Sequence, residues 1–212
     1  VAALKSKVEF TGQEWAGFGI TDLRIDDFIK SGDSYFAPDE PEKKFAGGAL
    51  ASNGNIYFAP HNVGEIGELI PPTQSLVSFI DSGISPADLS KPDALYTALV
   101  SSDNGKVYFF PFNPISILEY DISASSFVEI DISSTMSIVD AYRGAIEASN
   151  GKIYLVPHNA NSVGEFDPLQ RTFRGRDVST TGLKKYYGGV RAPNGNLYFA
   201  PWDAGNIGEF NP

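Results

Sequence analysis

The chain has 212 residues, 42% hydrophobic and 20% charged, which is enough for one packed domain and too apolar for a disordered one. A formal charge of -10 argues against a basic nucleic-acid face and against anionic membrane surfaces. The absence of cysteine rules out disulfides, thiolate metal ligands and a cysteine nucleophile, and no apolar run reaches the roughly 18 residues of a membrane span.

Residues 1–12 hold Lys7-Val8-Glu9-Phe10, which reads as a strand. The chain opens at Val1, and a leader removed before it would place the protein outside the cell or in an organelle lumen. Residues 13–43 contain Gly32-Asp33-Ser34-Tyr35-Phe36-Ala37-Pro38. That phrase returns as Asn53-Gly54-Asn55-Ile56-Tyr57-Phe58-Ala59-Pro60, and then in three further copies that begin at Asn104, Asn150 and Asn194. The glycines of the last four copies are spaced 51, 46 and 44 residues apart. Nine residues before each glycine stands an aromatic: Phe45, Tyr96, Tyr142 and Tyr186. Eight residues after each proline stands a glutamate: Glu68, Glu119, Glu165 and Glu209.

Each repeat reads as four strands. Strand a starts at the aromatic. The Asn-Gly pair predicts a tight hairpin with positive φ at both central residues. Strand b is Ile-Tyr-Phe and its variants, unalternated as in a sheet covered on both faces, and it ends at a proline that has no N–H to donate. Strand c carries the glutamate, and strand d is represented by Phe127-Val128-Glu129-Ile130 and Phe173-Arg174-Gly175-Arg176. A four-stranded unit with this period predicts an all-β protein, a single small β-propeller domain over residues 1–212. Its repeats are 44–91, 92–140, 141–186 and 187–212, with 1–12 as the strand that closes the last blade. Residues 13–43 read best as a reduced fifth blade, and otherwise as an insertion in a four-bladed ring.

In a propeller the b–c and d–a loops share one face. The candidate ligand or partner residues there are His61, Asn62, Phe112, Asn113, His158, Asn159, Trp202 and Asp203, joined by Tyr96, Tyr142, Arg143 and Tyr186 from the d–a side. Aromatic faces beside Asn and Asp side chains suit a protein partner or a glycan. The glutamates read as hydrogen-bonded scaffold in preference to a carboxylate ring, the repeated tyrosines read mostly as core, and Lys43-Lys44 and Lys184-Lys185 as solvated flanks. No hydrolase elbow, phosphate loop, zincin helix or calcium loop is present. A non-catalytic binding or scaffold protein without a cofactor, of the kind that serves as an accessory subunit of a larger assembly, is therefore expected. A lectin-like propeller, or a metal-dependent lyase or hydrolase using His61 or His158, are the alternatives.

The pattern Gly-[Gly/Ala]-x-x-Ala-[Ser/Pro]-Asn-Gly-x-[Ile/Leu]-Tyr-x-x-Pro, followed by Val163-Gly164-Glu165-Phe166-Asp167-Pro168, resembles tandem-repeat propeller proteins of marine algae and other protists over residues 44 to 212. That resemblance implies a fold and no reaction. A looser likeness is to the virginiamycin B lyase, NHL and senescence-marker propellers. For the lyase class it implies a metal and a catalytic histidine on the ligand face. His61 and His158 are the histidines in matching loops, and the carboxylate ligands have no counterpart.

Overall fold

The computed structural model describes residues 45–61, 65–71, 75–81, 96–111, 116–135, 138, 140–178 and 181–212. The expected closing strand in residues 1–12, the segment 13–43, and Asn62, Phe112 and Asn113 lie outside the described residues.

The described chain is all β. The first sheet comprises β1 (Phe45–Leu50), β2 (Ile56–Pro60), β3 (Glu65–Ile70) and β4 (Ser75–Asp81). The second comprises β5 (Tyr96–Ser102), β6 (Lys106–Pro111), β7 (Ser116–Asp121) and β8 (Ser126–Asp131). The third holds β9 (Tyr142–Glu147), β10 (Ile153–Pro157), β11 (Ser162–Asp167) and β12 (Thr172–Asp177). The fourth has three strands, β13 (Tyr186–Arg191), β14 (Leu197–Pro201) and β15 (Gly208–Phe210). Every sheet is an antiparallel meander in chain order, and each strand b ends on its proline. Among the described residues no helix is long and apolar enough to cross a membrane.

The Asn-Gly hairpin departs from the expected two-residue turn. The Gly54 N–H donates to the Ala51 carbonyl at 2.9 Å, and the Ala51 N–H to the Asn55 carbonyl at 2.8 Å. Only the glycine takes positive φ, 84° at Gly54 and 74° at Gly151, so this is a type I-like turn closed by a left-handed glycine. The asparagine keeps negative φ because its side chain has another task. Asn53 Oδ1 accepts the Asn55 N–H at 3.0 Å, and its Nδ2 donates to the Tyr57 hydroxyl at 3.0 Å. Asn104, Asn150 and Asn194 repeat both bonds.

The sheets stack in order, β1 against β5, β5 against β9 and β9 against β13. The core lies between sheets. Ala51, Tyr57, Ala59 and Ile66 of the first sheet meet Tyr96, Val107, Phe109 and Leu118 of the second. Ile146, Tyr154, Val156 and Val163 of the third meet Tyr186, Leu197 and Phe199 of the fourth. One ring contact recurs at each junction: Tyr57 with Tyr120, Tyr108 with Phe166 and Tyr154 with Phe210, at 5.6, 5.3 and 5.3 Å between centroids. The first strand of each sheet bulges just after its aromatic. In the third sheet the bulge holds Gly144, at φ +106°, where a Cβ would lie 2.7 Å from the Cα of Gly188.

Candidate functional site

In the third and fourth sheets the loops after strand b are tied to the residues that precede strand a. His158, Asn159 and Ala160 all donate their N–H to the Ala141 carbonyl, and Trp202 and Ala204 donate theirs to the Lys185 carbonyl. The Lys185 N–H in turn donates to the His158 carbonyl at 2.9 Å, which joins the third sheet to the fourth. These backbone bonds join the loops of the third and fourth sheets, and the bulge after Tyr142 and Tyr186 places Arg143 and Tyr187 beside them.

His158 is 4% exposed, and its Nδ1 lies 2.9 Å from the Tyr186 carbonyl. A carbonyl only accepts, so Nδ1 carries the proton. Nε2 stands 3.6 Å from Asp140 Oδ2. That carboxylate holds Arg143 from two sides, Nε to Oδ1 at 2.7 Å and Nη2 to Oδ2 at 3.0 Å. The hydrogen bond that Arg143 donates to Asp140 raises the guanidinium's pKa further above its already high value, so Arg143 is a fixed cation. Its guanidinium carbon sits 5.3 Å from the centre of the Tyr187 ring, and Tyr187 lies 5.2 Å from Trp202 at an interplanar angle of 32°. Tyr187 is 48% and Trp202 60% exposed. The result is an exposed aromatic pair steadied from beneath by an Asp–Arg ion pair and the edge of His158. A recess of about 200 Å³ opens on the same face, lined by Thr135, Ile138, Tyr142, Asn161, Ser162 and Asp177 among others.

Of the residues expected on this face, the structure brings Arg143, His158, Asn159, Trp202 and Asp203 together around the junction of the third and fourth sheets. Asn159 Oδ1 accepts the Lys184 N–H, and the Asp203 N–H donates to the Lys184 carbonyl. Tyr96, Tyr142 and Tyr186 are in the interior instead, at 5, 5 and 2% exposure. His61 occupies the His158 position of the first sheet and is half-buried. The Lys184-Lys185 pair is solvated only in part. Lys184 is exposed, whereas Lys185 is buried with Nζ on the Gly182 carbonyl at 2.7 Å, and desolvation lowers its pKa. Sequence reasoning missed Tyr187 and Asp140. One signal was present: the position after strand a's aromatic reads Ala46, Thr97, Arg143 and Tyr187, a varied position inside a repeated strand.

The glutamates form no shared centre. Each stands directly across the strand pair from the tyrosine of strand b, as Tyr57 opposite Glu68, Tyr108 opposite Glu119, Tyr154 opposite Glu165 and Tyr198 opposite Glu209. Glu68 accepts from Asn55 and Tyr57 at 2.7 and 2.8 Å, and Glu209 from Asn196 and Tyr198 at 2.7 and 2.9 Å. Glu165 takes Lys152 and Arg174, and Glu119 takes Lys106 together with Arg171 of the next sheet. Burial alone would raise both of these carboxyls, and the hydrogen-bonded cations outweigh it and hold them low. Glu119 and Glu165 are buried as expected of scaffold, and Glu68 is half-buried. Glu209 is exposed, because no described sheet follows the fourth. Among the described residues no three His, Asp or Glu side chains gather as metal ligands would.

No family model and no curated protein matches the chain. Solved structures do. A streptogramin B lyase is 18% identical with a TM-score of 0.59, covering 82% of this chain and 56% of its own. A catalytically inactive virginiamycin B lyase from Staphylococcus aureus, solved with quinupristin, is 15% identical with a TM-score of 0.61, covering 84% and 58%. The extracellular domain of a putative hybrid two-component system from B. thetaiotaomicron is 15% identical with a TM-score of 0.58, covering 82% of this chain and 22% of that one. At these identities the likeness shows the fold alone. The four sheets are blades of a β-propeller, and the chain spans a little over half the length of the lyases it matches.

Proposed function

We propose that this propeller is a non-catalytic binding domain that takes a protein partner on its loop face, at the junction of the third and fourth sheets. The observation that carries the proposal is the exposed Tyr187–Trp202 pair braced by Arg143 and Asp140. Tryptophan, tyrosine and arginine are the residues that dominate binding energy at protein interfaces, above all where the free surface is already rigid. Ile138 and Leu183, 45 and 70% exposed, add apolar area in the loops that lead to strand a of the third and fourth sheets. His158 spends its Nδ1 proton on the Tyr186 carbonyl and is buried, so its task in this reading is to clamp two sheets together.

Selection of random displayed peptides against the folded chain tests the proposal. Binders should be recovered whose affinity falls at least about tenfold, or ~1.4 kcal/mol, in Trp202→Ala. Binders indifferent to both Trp202 and Tyr187 would move the site elsewhere. The second reading, a glycan-binding propeller, rests on the same flat rings beside Asn159 and Asp203, since a sugar's C–H face stacks on such a surface. A glycan-array signal lost in Trp202→Ala, without peptide binding, would decide for it.

A further inference from the structure

We propose that the recess of about 200 Å³ on the third sheet binds a primary alkylammonium group, either the side chain of a partner's lysine or a free amine. The repeat itself supplies the mould. Ala141 lines the recess, and its counterpart one repeat later is Lys185. The local backbone is alike at both places. The Ala141 carbonyl accepts the His158 and Ala160 N–H groups, and the Lys185 carbonyl accepts those of Trp202 and Ala204. The residue before each takes positive φ, 53° at Asp140 and 52° at Lys184. In the fourth sheet the side chain at this position is 4% exposed, and its Nζ donates to the Gly182 carbonyl at 2.7 Å. Gly182 is the counterpart of Ile138, which lines the recess of the third sheet. The fourth repeat thus fills from within, with a butylammonium chain, the place that alanine leaves open in the third.

The lining of the recess suits that group. Its buried part is mostly apolar, with Ala141, Ala160 and Tyr142 at 1, 3 and 5% exposure. The Tyr142 hydroxyl is already engaged with Ser162 Oγ at 3.0 Å. The exposed part is rich in acceptors, with Thr135, Asn161 and Asp177. An ammonium carries three donors and no acceptor, so it needs such oxygens. Thr135 spends its hydroxyl proton on the Ile132 carbonyl, which leaves the hydroxyl oxygen as an acceptor. Asp177 brings the opposite charge. Its counterpart in the second sheet, Asp131, accepts the Ser133 N–H, whereas among the described residues nothing donates to the Asp177 carboxylate. A carboxylate at the mouth of an apolar hollow selects a cation over an anion, and an alkylated cation over a bare one. Of the residues that the proposed partner site uses, Ile138 alone lines the recess, so binding here does not require the Tyr187–Trp202 pair.

The full chain is titrated with n-butylammonium, Nα-acetyl-lysine methylamide and n-butanol, and the backbone amide NMR shifts of Ala141, Asn161 and Asp177 are followed. The amines should give saturable shifts there, and n-butanol should bind at least about fivefold more weakly. Tighter binding of n-butylammonium would assign a free amine as the ligand, and tighter binding of the lysine derivative a partner's lysine. Asp177→Asn, at an exposed position, should weaken the amines at least about threefold and leave n-butanol unchanged. Ala141→Lys repeats the arrangement of the fourth sheet, and should keep the β-sheet circular dichroism while abolishing the response to amines. A wild type without saturable shifts would overturn the proposal. So would n-butanol that binds as tightly as the amines, or a folded Ala141→Lys variant that still binds them. Amine affinity unchanged in Asp177→Asn would overturn it as well, whether or not Ala141→Lys folds.

Discussion

The smallest unit that recurs is a set of three side chains, in which an asparagine of the a–b turn, a tyrosine of strand b and a glutamate of strand c share hydrogen bonds. Its surroundings vary while its chemistry does not, and that permits a controlled comparison. Tyr108 is fully buried and receives the Asn104 amide at 2.9 Å, whereas Tyr198 makes the same bond near solvent. Removing the hydroxyl from a buried site strands its partners, at a cost of about 1–3 kcal/mol, whereas water replaces it at an open one. Tyr108→Phe should therefore lower stability by roughly 1–2 kcal/mol in urea unfolding, and Tyr198→Phe by less than about 0.5. Equal losses would count against this account. The carboxylates add a pH dependence. Glu119 and Glu165 are held below their ordinary value, and Asp121 is drawn down to about 2, chiefly by the Ser123 side chain and then the Ala124 N–H. A depressed carboxyl stabilises the fold above its unfolded value and loses that contribution as the pH falls through the folded one. Urea midpoints should accordingly drop as the pH falls from about 5 to about 2. In a Glu119→Gln/Glu165→Gln variant the midpoint should start lower at neutral pH and fall less steeply.

At the scale of elements, the strands were legible because their punctuation repeats. The aromatic that opens strand a, the Asn-Gly turn, the proline that ends strand b and the glutamate of strand c fix four boundaries in every repeat. The turn itself was misread. Asn-Gly between apolar runs signals a two-residue hairpin only when asparagine is free to take positive φ, and here its side chain is already bonded to the N–H two residues on and to the tyrosine. The bulge was not legible, because its residues lie inside a strand and no local rule marks it. The site was half legible for that reason: His158 and Trp202 follow the proline in plain view and Arg143 stands beside a repeated aromatic, whereas Tyr187 reaches the loop face only through the bulge and was missed. Gly144 is the position where that bulge is least tolerant. Alanine there would hold an unfavourable φ and press its Cβ against Gly188, which predicts a loss of roughly 1–3 kcal/mol. Gly205, without positive φ and with open space around it, should accept alanine within about 0.5 kcal/mol. Thermal unfolding of the two variants checks the pair.

Across the whole molecule, stability passes from sheet to neighbouring sheet, because each blade packs only on the ones beside it. The third and fourth sheets are joined by buried apolar residues and by the two bonds that run through His158, from its ring to the Tyr186 carbonyl and from its own carbonyl to the Lys185 N–H. The backbone bond survives truncation of the side chain, and the ring bond does not. In His158→Ala the Tyr186 carbonyl loses its buried donor, Asp140 loses a neighbour, and the aromatic pair loses the ring edge beneath it. The cost, about 1–3 kcal/mol for an orphaned buried group, falls on one junction and spares the contact between the first and second sheets. Hydrogen exchange resolves this difference where a global unfolding curve does not. Amides of β13 to β15 should exchange at least about tenfold faster in His158→Ala, while those of β6 and β7 keep their wild-type rates. A uniform acceleration across all four sheets would instead mean that they unfold as one unit and that His158 clamps no particular pair. The same variant should weaken any ligand that depends on Trp202, since the loop face is only as rigid as the junction beneath it.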